Sequence, residues 1–514
     1  MQVNQRTAGI LLNYAGEAVK VLTALIYTPI MLRLLGQSEY GLYQLVSSTV
    51  AYLSLLSLGF GSAYVRFFSR YAVKNDHDGV ARLNGMFMLI FCAMSVLCVA
   101  CGGVMIAKAE WVFGSGLTAV ELQKFFFKTF AVELQKAKLL MAVLVFSMAL
   151  TFPNSVFNCY VTAHERFVFQ KSLNLLQGLM NPFLALPLLL LGYGSVAVVG
   201  VSAFLTAAVF VSNILFCCKK LEMRFSFSGL ELGLLKEMWV FTFFIFLNQI
   251  IDQVNWNVDK FLLGRMIGTS AVAVYGVGGQ INSLYMSFSN MIPSVFIPEI
   301  NKIVAQNLKD TNTRLSELFV KVGRFVFVVA LYIYIGFVFC GKEFIIWWAG
   351  VEYVESYYVA LLLITPLVLI LPHSMGIEVR RAKNLHRIPA LFMFMTTIFN
   401  VFLSVWLINC WGACGAALGT FACLLINQIM IDIYYVKVVK LDVIPLLKNM
   451  ACIVKALLLP IVFGLSGLWT DSLGTCVVWA GLYTIFFATA LYKNVLNEEE
   501  LVGLKILLQR VKRG

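Results

Sequence analysis

Apolar residues in this chain gather into long blocks, with polar residues confined to short breaks between them. Fourteen blocks start near Leu11, Tyr40, Leu83, Leu139, Val168, Ser195, Trp239, Ala271, Val322, Tyr357, Ile388, Gly412, Leu446 and Leu473. Each runs roughly 20–25 residues, about the length a helix needs to cross a bilayer. A bilayer offers backbone amides no partners, so such blocks must be helices. The pattern predicts an all-α polytopic membrane protein of 14 transmembrane helices.

The breaks differ in charge. Alternate connections and both ends hold 28 of the 39 Lys and Arg residues, among them Arg66, Arg70, Arg166, Lys219, Lys302, Arg380 and Lys437. The other set holds eight, including Arg33, Lys108, Arg265 and Lys342. Cationic segments resist translocation, so the rich set belongs in the cytoplasm with both termini. The first apolar block lacks a small-residue cleavage site and reads as a retained span.

Composition agrees. Charged residues make up only 13% of the chain, and a soluble domain carries about twice that. The surplus of +13 lies where anionic headgroups favour it, so it calls for no nucleic acid. The twelve cysteines show neither a disulfide framework nor zinc spacing. Asp76-His77-Asp78 resembles a metal-binding triplet but sits in a short basic loop without further ligands. No phosphate-binding Gly-Lys-Ser/Thr loop is present, and no cofactor is expected.

The chain repeats itself. Arg33-x-x-Gly36-x-Ser38 followed by Tyr43 recurs as Arg265-x-x-Gly268-x-Ser270 followed by Tyr275, all at one offset. Asn181 and Gly194 have rough counterparts in Asn400 and Gly412, one residue out of register. This predicts two pseudo-symmetric six-helix bundles plus two C-terminal helices. The expected organisation is a six-helix lobe over 1–217, a cytoplasmic linker over 218–238, a second lobe over 239–440, two further spans over 441–493 and an amphipathic tail over 494–514. Leu117 to Lys136 reads as a helix lying at the outer interface. Parallel repeats of this kind suit a transporter, whose site lies between the halves.

Charge inside a span costs roughly 2.5–3.5 kcal/mol on insertion scales, so polar residues there are the candidates for function. The first span carries Asn13, Glu17 and Lys20 on one face. The seventh carries Asn248, Asp252, Asn255 and Asp259, flanked by Gln249 and Gln253. Polar stripes on two equivalent helices suit a watery cavity. The bland alternative is an i,i+3 Glu17–Lys20 pair that satisfies itself, with amides bridging helices. Gln280 lies in the eighth span, Asn427, Gln428 and Asp432 in the twelfth, and Lys455 in the thirteenth. His373 follows Pro372 in the tenth and reads first as a packed, hydrogen-bonded histidine. Arg66 and Arg70 end the second span one turn apart. They either anchor it at the cytoplasmic surface or capture a phosphate group, for which a guanidinium fork is suited.

Tyr27-Thr-Pro29-Ile-Met-Leu-Arg33-Leu-Leu-Gly36-Gln-Ser-Glu39-Tyr40-Gly41-Leu-Tyr43, continued by Ser57-Leu-Gly59-Phe-Gly61-Ser-Ala63-Tyr64-Val-Arg66, resembles the opening of O-antigen and polysaccharide flippases. These belong to the superfamily that also holds the MATE exporters and the lipid II flippase. The resemblance implies two six-helix bundles around a central cavity. It also implies alternating-access movement of an undecaprenyl diphosphate-linked oligosaccharide to the outer leaflet of a bacterial cytoplasmic membrane. Partners would then be the lipid-linked oligosaccharide, membrane lipids and glycan polymerase machinery. The family's cavity is typically cationic, whereas Asp252 and Asp259 make the second lobe acidic. That departure leaves open coupling to H+ or Na+, and a MATE-like drug or cation antiporter as the alternative. A membrane oligosaccharide polymerase or ligase would need a larger outer loop than the sequence offers.

Overall fold

The protein was analysed as a computed structural model, which describes residues 5–110, 113, 127–228, 232–294, 296–306, 310–383, 385, 387–469 and 472–496. Residues 497–514 of the amphipathic tail lie outside the described residues, as do 117–126 of the outer stretch, whose remainder, 127–136, is the start of a long helix. Sixteen α-helices follow one another in the described chain: α1 Gln5–Ala51, α2 Phe60–Ala72, α3 His77–Ala107, α4 Phe127–Ala163, α5 Phe167–Leu190, α6 Gly194–Lys220, α7 Leu232–Met266 and α8 Thr269–Ser294, then α9 Ile297–Gln306, α10 Thr311–Trp348, α11 Glu355–Ile370, α12 Ser374–Ala382, α13 Arg387–Tyr434, α14 Val443–Ala456, α15 Leu458–Leu465 and α16 Leu473–Asn494.

Among the described residues, nine helices are long and apolar enough to cross a membrane, or ten if the pair α14–α15, bent by 61°, is one span. The protein is thus an all-α polytopic membrane protein. Its surface is inverted accordingly: Phe183, Leu190, Phe402 and Leu459 are each about two-thirds exposed or more. Large apolar side chains in that state face lipid.

Two helices are long enough for two crossings. At 1.5 Å per residue, the 47 residues of α1 would span about 70 Å, against a hydrocarbon core of about 30 Å. Gly36 interrupts it with φ 74 and ψ 170, a conformation open to glycine because it lacks a Cβ. The 48 residues of α13 are interrupted at Trp411 and Gly412, the latter with φ 57. Gly268, between α7 and α8, and Gly194, opening α6, also have positive φ.

The chain divides into two compact units, one of Met1–Gly276 with Thr397–Ala416, the other of Val277–Thr396 with Ala417–Gly514. In the first, α1 packs on α5 and α7, and α4 on α3 and α6. Its interior mixes rings with bonded polar groups. Tyr64 meets Phe87 edge-on at 5.0 Å and donates to Asn84 Oδ1 at 2.5 Å. Asn213 donates to Asn154 at 2.8 Å. In the second unit α10 is the central element and buries Phe319, Val322, Val326 and Ala330. The Tyr332 ring stacks on Tyr483 of α16.

Candidate transport site

Polar groups cover two adjoining faces of α7. The first face carries the amides that tie α7 to the chain before α2. Ser57 Oγ donates to Gln249 Oε1 at 3.3 Å, and Gln253 Nε2 donates to Ser54 Oγ at 2.9 Å. Asn257 donates to Gln253 at 2.7 Å. Further along, Lys260 Nζ donates to Gln44 Oε1 at 3.1 Å, and Gln44 donates to Tyr40 at 2.8 Å. The amide and hydroxyl bridges hold helices together in lipid without placing a net charge there, and the Lys260 ammonium is the one charged donor among those named on this face.

The second face is the predicted stripe, and its four members differ. Asn248 and Asp252 are exposed. Asn255 is half-buried and accepts from Thr397 Oγ1 at 2.9 Å. Asp259 is 1% exposed and accepts from the Tyr275 hydroxyl at 2.6 Å. The stripe therefore grades from open side chains to packed ones. Tyr275 closes the second copy of the Arg-x-x-Gly motif, so the repeat supplies the partner of the buried carboxylate.

On α1, Lys20 Nζ lies 3.9 Å from Glu17 Oε2, and both side chains are open, 76% and 42% exposed. That is the i,i+3 pair, at the outer limit of ion-pair range. Gln280 is half-buried on α8 in the second unit.

At the far end of α2, Arg70 grips a partner that the sequence did not suggest. Its Nη1 and Nη2 donate to Glu237 Oε2 and Oε1 at 3.0 and 2.6 Å, a bidentate fork. The same guanidinium lies 4.7 Å over the Phe67 ring. Hydrogen bonding from Arg70 holds the Glu237 carboxyl below the usual carboxylate range, and Arg66 adds to the effect through its charge. Both members of the pair are exposed, so it is an orienting contact rather than a large contribution to stability. Glu237 is one of three acids in the basic stretch 218–238, with Glu222 and Glu231, and its place on α7 is what sets it against Arg70.

Glu39 forms a second node. It accepts from the backbone N–H of Ser195, at the start of α6, at 2.5 Å. Lys136 Nζ lies 2.6 Å from the same carboxylate. In the second unit, a groove of about 630 Å3 between α9 and α10 is lined by Lys302, Arg314 and Lys321 with Glu299 and Glu317, charges that largely cancel. Among the described residues, no group of His, Cys, Asp and Glu is placed to hold a metal ion. Asp76 of the triplet instead caps α3, accepting from Gly79 N at 2.7 Å.

Residues 7–304 match the sequence profile of a family described as "polysaccharide biosynthesis protein", which is more than half of the chain. No curated protein matches. Among solved structures, the fold is similar to that of the lipid II flippase MurJ in an inward closed conformation, with a TM-score of 0.67 and 13% identity, covering 95% of this chain and 99% of that one. It is also similar to an inward-facing multidrug resistance transporter of the MATE family in the MOP superfamily, with a TM-score of 0.60 and 12% identity, covering 82% and 98%. At such identities the likeness is one of fold.

Proposed function

Because the chain belongs to the polysaccharide biosynthesis protein family, we propose that it flips an undecaprenyl diphosphate-linked oligosaccharide, an O-antigen or capsule repeat unit, to the outer leaflet of a bacterial cytoplasmic membrane. The family match carries this reading. The shared fold with a protein named as a lipid II flippase supports it. Transport of this kind makes and breaks no covalent bond, so the residues of interest bind, gate and orient.

We read fourteen crossings in this fold. The breaks at Gly36 and at Trp411–Gly412 turn two long helices into four spans, and α14–α15 reads as one bent span. The glycines of the repeat support two equivalent halves: Gly36 and Gly268 each leave helical geometry between paired spans, and Gly194 and Gly412 share φ values of 60 and 57. In this reading Glu17, Lys20, Asn248 and Asp252 line the path, Asn255, Asp259 and Gln280 shape it, and Arg66 with Arg70 receive the diphosphate at the cytoplasmic mouth.

One observation favours a second reading. Asp252 is an exposed carboxylate on a polar helix face, which would suit H+ or Na+ coupling or a cationic cargo, as in a MATE-like antiporter. Inverted vesicles loaded with radiolabelled lipid-linked oligosaccharide separate the two. Flipping into the lumen that depends on this chain supports the first. Uptake of organic cations into the lumen without glycolipid movement supports the second and removes the first.

A further inference from the structure

His373 lies at the join of α11 and α12, in the 3-10 turn Leu371–His373 that contains Pro372. Its ring is almost wholly enclosed. Nδ1 lies 2.8 Å from the carbonyl oxygen of Leu369. A carbonyl only accepts, so Nδ1 carries the hydrogen. In the neutral ring Nε2 is then a bare lone pair. The atom it faces is Asp432 Oδ1 of α13, at 3.5 Å, and Nε2 has no hydrogen-bond partner. A carboxylate also only accepts. Two acceptors thus face each other inside a membrane protein, and an added proton would join them.

The neighbours of the pair come from α10, α12 and α13. On α13, Gln428 Nε2 donates to Asp432 Oδ1 at 2.7 Å, which keeps the carboxylate oriented. From α10 the neighbour is the Phe319 ring, its centroid 6.0 Å from that of His373, with no charge of its own. After α13, Tyr435 packs its ring 6.1 Å from Phe319, and α12 brings the charged Glu378 and Arg380 into the same neighbourhood. Glu378 is occupied by Arg381 at 2.7 Å. Asp432 keeps 23% of its side chain exposed against 4% for His373, so it is the more open member of the pair.

We propose that His373 and Asp432 form a proton-binding site in the second unit, taking one H+ onto Nε2 to convert two facing acceptors into a charge-assisted hydrogen bond. The charge balance is simple: a neutral imidazole and a carboxylate, net −1, become an imidazolium–carboxylate pair of net zero. The loaded pair would close toward the 2.7–2.9 Å of such bonds. That closure draws the join of α11 and α12, already weakened at Pro372, onto α13 just ahead of its π-helical end at Tyr435–Val439. Proton occupancy thereby sets the local geometry of three helices. This inference does not depend on the cargo.

Magic-angle-spinning NMR of the full chain in liposomes, with 15N-labelled histidine, tests it. The chain has four histidines, His77, His164, His373 and His386, so His373→Gln assigns the signal. Between pH 9 and pH 5, the His373 ring should pass from Nδ1–H with a bare Nε2 to protonation at both nitrogens. Asp432→Asn should weaken that proton uptake about tenfold or more, the effect of removing an opposite charge at this range. A ring that stays singly protonated throughout overturns the proposal, and so does a midpoint that Asp432→Asn leaves unmoved. If the variants do not accumulate, the wild-type spectrum still decides, with assignment by removing the other three histidines.

Discussion

A carboxylate and a phosphate compete for the same guanidinium fork, and in this structure Glu237 holds the fork of Arg70. Cargo capture at Arg70 therefore means displacing Glu237. Replacing Arg66 and Arg70 together by lysine keeps two cytoplasmic anchors but loses the bidentate geometry. Surface glycan in a complemented deletion strain should fall about tenfold or more, a loss of roughly 1.4 kcal/mol or more. Full complementation at normal protein level would leave both arginines as anchors. Glu237→Gln should release Arg70 and tighten binding of a diphosphate lipid to the purified protein. The sign with pH is fixed by the lowered Glu237 carboxyl. Its contribution is present above the ordinary carboxylate value of about 4.3 and disappears as pH falls through the lower, folded value. The Arg70–Glu237 pair thus persists from pH 5 to 8, and Glu237→Gln should leave the shape of any transport pH profile in that range unchanged. Asp252 is open where Asp259 is packed against Tyr275, so the two carboxylates part in their expected roles. Asp252→Asn keeps shape and removes charge. Glycan restoration equal to wild type would remove Asp252 from ion coupling and gating.

Among the elements, the helices were legible in the sequence and their fastenings were not. Block length marked the spans, and the Arg-x-x-Gly repeat marked breaks that the structure places at Gly36 and Gly268. Periodicity on α7 put four polar residues on one face. It could not show that Asn255 and Asp259 are spent on Thr397 and Tyr275, because those partners lie on other elements. Gln249 and Gln253 read as flanks, yet they hold α7 to Ser57 and Ser54. Glu39 stood inside the recognisable motif without a role, since Ser195 is 156 residues away. Its carboxylate satisfies an otherwise unpaired N–H in the first turn of α6, where the helix dipole also favours negative charge. Glu39→Ala should destabilise the purified protein by about 1.5–3 kcal/mol, the range for a hydrogen bond to a charged group. Glu39→Gln should cost less, because its amide oxygen still accepts from Ser195 while the Lys136 ion pair is lost. Thermal unfolding in detergent gives the order. Equal midpoints for wild type and Glu39→Ala would rule out the cap as a stabilising contact.

At the scale of the whole molecule, sidedness comes from the distribution of charge along the chain, because the packing of a helix bundle is the same whichever way it faces. The sequence supplied the direction through its 28 basic residues on one set of connections. The structure supplies a lever to test it with. Helix α10 runs through 38 residues from Thr311 to Trp348, about 57 Å at 1.5 Å per residue, well beyond the bilayer core. Asp310 precedes it and Glu352 follows it, and both are exposed. An uninterrupted helix of that length puts its two flanks on opposite sides. Asn75, in the exposed turn between α2 and α3, should share a side with Asp310, because both connections belong to the basic set. In a background with the twelve native cysteines replaced, a cysteine at Glu352 should react with an impermeant thiol reagent in intact cells. Cysteines at Asn75 and Asp310 should react only after permeabilisation. Labelling at Asp310 but not at Glu352 would invert the protein and put Arg70, and any capture of a cytoplasmic diphosphate lipid there, on the wrong side. Labelling at Glu352 and Asn75 together would keep α10 as it stands and break the alternation somewhere between α3 and α9.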